Sequence, residues 1–221
     1  MSDRAVHSSR KRRRFTPIAL ITGLAGVALL SLSVTGTLSG FTASITNSTN
    51  TAGSGSLVMQ EQTTGGTAVT CLSTDGGSVS TNTASCATIN KFGGSTTLVP
   101  GGPAVNTAIT IKNIGSVPAS TFTLTPGATC TQSNNGTQNG TAADFCAKLK
   151  VVITSGATTV FTGTAATLAG AAAGATSITM PPAPAAGVST PFNIAVSLDS
   201  TVLNNYQGLA ASLPLTWAFA S

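Results

Sequence analysis

Four cysteines, Cys71, Cys86, Cys130 and Cys146, are the residues of this chain best suited to covalent or metal chemistry. As metal ligands they are badly spaced. Zinc sites set Cys pairs two to four residues apart and commonly add His, and the only His is His7, close to the N-terminus. As disulfides the four can pair in three ways. The simplest scheme joins neighbours, Cys71 to Cys86 and Cys130 to Cys146, so that each bridge staples one polar loop. Closing a loop of about 15 residues stabilises by about 3 kcal/mol in the chain-entropy account, if the native geometry is unstrained.

Other chemistry is sparse. With no His beyond residue 7, a Ser–His–Asp triad or a His-Glu-x-x-His zinc motif has nothing to build on in the rest of the chain. The acidic residues after position 40 are Glu61, Asp75, Asp144 and Asp199, each isolated in sequence, with no paired-carboxylate signature. Asp144 reads as a capping or surface charge and Asp199 as a strand-end residue. Gly-rich stretches such as Gly53 to Ser56 lack the Lys-Ser/Thr of a phosphate loop and read as turns. Trp217, the only Trp, reads as a core aromatic before it reads as a sugar-stacking platform. The expectation is no catalytic site, no metal, no cofactor and no enzyme activity.

The elements that must position these residues begin with an export signal. Arg10, Lys11, Arg12, Arg13 and Arg14 precede an uncharged apolar run from Pro17 to Val34, the order of a secretory signal peptide. Small residues at Thr37, Ser39 and Gly40 suit cleavage just before Phe41 or a few residues later. The run is near the lower length for spanning a bilayer, which takes about 17–25 residues, so a retained anchor is the alternative. The formal net charge of +5 comes from this segment. Beyond residue 40, Lys91, Lys112, Lys148 and Lys150 balance the acids, leaving no basic patch for nucleic acid. Domain limits follow: 1–40 signal peptide, 41–55 a polar segment, 56–221 one folded domain.

That domain reads as all-β. Short alternating runs are separated by Gly and Pro clusters, the spacing of a sandwich or barrel rather than of βαβ units. Strands are expected from Leu57, over Ser95–Val99 and Ala104–Lys112, from Phe122, and over Lys150–Thr154, Thr158–Phe161 and Ser177–Met180. Cys71 and Cys86 fall in a Gly/Ser/Thr region, and an Asn/Gly-rich loop joins Cys130 to Cys146. A helical turn is expected within Ala142–Leu149 and a short helix around Ala165–Ala172. Two late runs complete the chain: Phe192, Ile194, Val196 and Leu198 on one face, then Leu213, Leu215, Trp217 and Phe219. Joined by a polar turn, they read as a late β-pair that closes the sheet.

Three stretches carry a resemblance to a known family. They are the small-residue junction at Phe41 with GSGSLVM after it, LVPGGPAVNTAITIKNIGSVPASTFTL from Leu98 to Leu124, and NNYQGLAASLPLTWAFA from Asn204 to Ala220. In this order they resemble the TasA/camelysin family of secreted Gram-positive surface proteins, with Asn205, Tyr206, Gln207 and Gly208 the most specific part. The resemblance implies a jelly-roll-like antiparallel β-sandwich, processing by a dedicated signal peptidase, and a place in the extracellular matrix or on the cell surface. It also implies polymerisation into biofilm-matrix fibres, a homopolymer in which an N-terminal strand passes to a neighbour. Phe41 and Ile45 would be the apolar residues of that strand. Some relatives were described as metalloproteases; this chain departs from the family in its four cysteines, its few Lys, Asp and Glu residues and its lack of His beyond residue 7, and the missing His argues against that role. The leading expectation is a fibre subunit, the second an envelope-associated monomer binding protein or glycan through its loops, and a protease the least favoured.

Overall fold

Ten strands account for most of the regular structure in the computed structural model, which describes residue 45 and residues 50–78, 80–171 and 178–221. The signal-peptide reading and Phe41 lie outside the described residues. All ten strands fall in the unit Gly53–Ser221.

Six strands form one antiparallel sheet. They are β1 (Met59–Thr63), β2 (Thr70–Leu72), β3 (Val105–Asn113), β6 (Leu149–Ser155), β7 (Thr158–Thr164) and β8 (Ser189–Leu198), in the order β2-β1-β3-β8-β6-β7. Alternation builds its inner face: Ile109 and Ile111 of β3, Val151 and Ile153 of β6, and Ile194 and Val196 of β8 are all at most 1 % exposed. Val and Ile suit a pleated, half-buried surface, and each fully buried side chain contributes about 1.5–3 kcal/mol. Asn106 and Asn193 bond to each other on the exposed side. The hairpin between β6 and β7 turns at Gly156, whose φ of 58° is the left-handed conformation that such tight turns require.

The facing layer is assembled from smaller pieces. Strand β4 (Thr121–Pro126) pairs with β10 (Leu215–Ala220), and β5 (Thr131–Asn134) pairs with β9 (Leu209–Ser212). Aromatic rings bind this layer to the large sheet: Phe192 of β8 lies 5.7 Å from Phe122 and 4.6 Å from Trp217, and Phe122 lies 4.9 Å from Phe219. Such pairs contribute about 0.5–1.5 kcal/mol each beyond their buried area. The all-β sandwich expected from the sequence is the fold observed.

Two short helices fill the corners, α1 (Phe145–Lys148) and α2 (Ala165–Ala169). Thr164 caps α2: its hydroxyl accepts from Thr167 N–H at 3.2 Å, while its own N–H donates to Thr167 Oγ1 at 2.8 Å. Both helices match the expected positions.

Three expectations require correction. The two late runs are not a β-pair: β8 lies between β3 and β6 in the large sheet, whereas β10 pairs with β4 in the opposite layer. The connection between them carries β9 and crosses the core, so their like patterns face each other rather than share a sheet. Ser95–Val99 forms no strand, although the adjacent Pro100 makes a single bridge to Leu198. Its β-compatible residues lie between Gly93-Gly94 and the Pro100–Pro103 turn and gain no ladder. Ile178–Met180, the described part of Ser177–Met180, is likewise not a strand; only Thr179 N–H reaches the sheet, at Val160 O. Conversely, β2 lies inside the supposed Gly/Ser/Thr loop and β5 inside the Asn/Gly-rich one.

Candidate functional site

The four cysteines form two sequence-local disulfides, Cys71–Cys86 and Cys130–Cys146, with Cα separations of 5.9 and 6.1 Å. Among the described residues no group of three or more His, Cys, Asp or Glu could hold a metal ion. Also among them, no helix is long and apolar enough to cross a membrane.

The second bridge belongs to a clasp. It closes the loop from Cys130 to Cys146, and the segment Asn205–Gly208 is stitched along that loop. Ala142 N–H donates to Asn205 O at 3.0 Å, Gly140 N–H to Gln207 O at 2.6 Å and Asn135 N–H to Gly208 O at 2.7 Å. Tyr206 Oη donates to Asp144 Oδ1 at 2.6 Å, and this bond raises the Tyr206 pKa above its ordinary value. Gly208 has a φ of 63°, and a Cβ there would run into the Gln138 carbonyl. The motif singled out in the sequence is therefore explained by backbone approach: it locks one loop to another. Asp144 precedes α1 without capping it, its carboxylate accepting from Tyr206 instead. Asp199 follows β8 directly; Thr201 and then Lys150 hydrogen-bond its carboxylate and hold its pKa well below the usual range.

The first bridge belongs to a groove. Residues 81–98 run as an irregular strap beside the inner face of the large sheet, with no strand or helix of their own. The strap is held by the Cys71–Cys86 bridge, by Asn82, whose Nδ2 donates to Leu57 O at 2.5 Å while its Oδ1 accepts from Ser73 Oγ at 2.7 Å, and by an ion pair. In the pair Lys91 Nζ lies 2.9 Å from Glu61 Oε1 and 3.1 Å from Oε2. Glu61 sits at an inward position of β1 and is 7 % exposed. Burying two charges offsets much of their attraction, so the pair fixes the strap's position more than it adds stability.

Between the strap, the large sheet and β9–β10 lies a groove of about 1140 Å³. Every residue from Tyr206 to Phe219 lines it, inward- and outward-pointing alike. A strand presents both kinds of side chain only along its edge. Among the described residues β10 pairs with β4 alone and β9 with β5 alone. The groove is thus flanked by strand edges that have no ladder partner. Its charged side chains, Glu61 and Lys91, neutralise each other.

Trp217, read from the sequence as a core aromatic, is 8 % exposed and forms part of the groove wall. Its Nε1 is buried without a hydrogen-bond partner among the described residues. Ile45 is 92 % exposed. Sequence reasoning missed Glu61, Lys91 and the strap. The legible signal was a Glu on the core-facing side of β1, since a buried carboxylate demands a cation; the thirty residues separating the two hid which cation. No family model matches the chain, and a search of curated proteins finds no match.

Proposed function

We propose that this protein is a structural subunit of extracellular surface or matrix fibres, a member of the TasA/camelysin type, in which residues 41–50 of one copy enter the groove of the next. The observation that carries the reading is the unpaired β9–β10 edge along a groove of about 1140 Å³. A strand seated between layers about 10 Å apart, about 4.8 Å from its neighbour and rising about 3.3 Å per residue, fills roughly 160 Å³ per residue. The groove therefore has room for about seven residues of extended chain.

The proposed donor matches that space in kind. Residues 41–56 contain no charged side chain, as suits a groove whose one charged pair of side chains is already matched, and the only charge of the released segment is the α-ammonium at its end. In an extended chain Phe41, Ala43 and Ile45 share one face. Main-chain bonds to an open edge give affinity and alternate side chains give specificity. Because donor and acceptor are different surfaces, the contact is heterologous and propagates instead of closing. The two disulfides fit an oxidising compartment outside the cytoplasm. Export with removal of residues 1–40 by a signal peptidase would release the donor.

Truncation tests this reading. A chain starting at Ser54 should keep its β signature and cooperative melt, yet fail to elongate alone or on fibres of the chain that starts at Phe41. Equal assembly of the two forms would remove strand donation. Persistent monomers of both, under all conditions, would favour an envelope-associated binding module.

A further inference from the structure

We propose that successive copies meet end to end, the Ile114–Val188 end of one domain on the Val99–Leu203 end of the next, so that the incoming strand runs antiparallel to β10. The inference rests on the fibre reading and supplies its direction and a second contact between copies. Apart from Ile45 in the proposed donor, the exposed large apolar side chains among the described residues are Ile114, Val188, Val99 and Leu203, at 40–75 % exposure. They fall into two pairs at opposite ends of β8. Asn113 N–H donates to Val188 O at 3.1 Å, which places Ile114 and Val188 where β8 starts. Pro100 bridges to Leu198 and Gly101 N–H donates to Leu198 O at 3.0 Å, which places Val99 where β8 ends. Leu203 follows the turn that Val202 N–H closes on Asp199 O, at that same end.

The chain preceding β1 leaves the domain at the first of these ends. Ser116 and Val117 N–H both donate to Ser56 O, at 2.8 and 3.1 Å, and Ser56 N–H donates to Ser116 Oγ at 2.9 Å. Extended chain from residue 50 to residue 56 reaches at most about 22 Å, short of the roughly 30 Å length of β8. Residues 41–50 therefore cannot enter their own groove from its far mouth. Leu57 and Phe219 line the groove at the end where the chain leaves, and Leu98, Pro100 and Leu203 line it at the other. Strand β10 runs toward the exit end: Ala220 O accepts from Ser120 N–H, and Pro184 O accepts from both Ala119 N–H and Asn113 Nδ2. A donor folding back into its own groove would thus lie parallel to β10. One crossing to a copy stacked end to end enters beside Leu203 and lies antiparallel, as every pair of strands in this domain does. Antiparallel pairing is also slightly the more stable per residue, and the same stacking covers both exposed apolar pairs.

Charge exchange between the two ends tests the contact in the exported protein. Val188→Lys and Leu203→Glu each put an unpaired charge into it and should raise the concentration needed for assembly roughly tenfold. Together in one chain the two charges face each other across the contact and should recover most of that loss. Val188 is 48 % exposed and Leu203 75 %, so all three variants should melt as the wild type does. Strand direction is read separately, on a chain changed only by a photoreactive benzophenone in place of the Phe41 ring. Mass spectrometry of fibres grown from mixed heavy- and light-isotope chains should find residue 41 joined to Ala218–Ala220 of another chain. Links to Leu213–Leu215 of another chain, single variants that assemble like the wild type, or a double variant no better than either single one would each overturn the end-to-end contact and leave strand donation standing. Links confined within one chain, or monomers throughout, would overturn both.

Discussion

The two layers of this sandwich are built to different standards. In the large sheet β3, β8 and β6 each have a partner on both sides, and their inner residues are sealed from solvent. In the facing layer four strands form two separate pairs, and the strap of residues 81–98 occupies space without a ladder. The same local chemistry is present in both: alternating apolar residues, Thr-rich outer positions and Gly or Pro turns. The layers differ in how many strands arrive to pair. A sheet missing a strand leaves main-chain donors and acceptors at an edge, and such edges invite another chain unless charge or Pro protects them. Along Tyr206–Phe219 the one protecting residue is Pro214, at the junction between β9 and β10. The complete layer carries stability, and the incomplete one is where a further strand would add.

The comparison can be broken first at the ion pair. Lys91→Met leaves Glu61 buried and unpaired, which should destabilise the domain by about 3–5 kcal/mol. The double change Glu61→Met with Lys91→Met should recover most of that loss in chemical denaturation. A single variant as stable as the wild type would mean that the strap is not anchored through this pair.

Core truncation sharpens the contrast. Ile194→Ala in the complete layer should cost about 2–5 kcal/mol, because the site is sealed on all sides. Leu215→Ala in the groove wall is only partly buried and should cost less than half as much, while impairing assembly more. Equal losses of stability would erase the distinction between the layers.

The smallest effect concerns the clasp. Tyr206 donates to Asp144, and its pKa lies above the ordinary tyrosine value in the folded chain. Its contribution is therefore fully present below the unfolded-state pKa near 10 and is lost as pH rises through the folded value. Tyrosinate absorbance of this single Tyr should rise at higher pH in the wild type than in Asp144→Ala. Identical titrations would mean that the bond is not kept in solution.

Much of the large sheet was legible because a period of two over Phe192–Leu198 or Ala104–Lys112 is a local pattern that also states which face is buried. The helices at Ala165 and Phe145 were legible for a similar reason, since capping and propensity act within one turn. The neighbour pairing of the cysteines was available because each bridge closes a short loop. The groove was not. Most of its lining comes from residues 57–61, 81–98 and 196–219, and nothing in any one of them records the others.

By itself, then, the sequence determined the class of fold, the sites of most strands and the absence of a His-based active site beyond residue 7, because composition and alternation are read one residue at a time. Only the tertiary structure decided that β8 and β10 lie in opposite layers, that Glu61 meets Lys91, and that Trp217 closes a groove with its N–H unmet. Pairing is the physical reason: a strand's pattern specifies which face it buries, while its neighbours are chosen by the rest of the chain, and an edge exists only where that choice leaves one side empty.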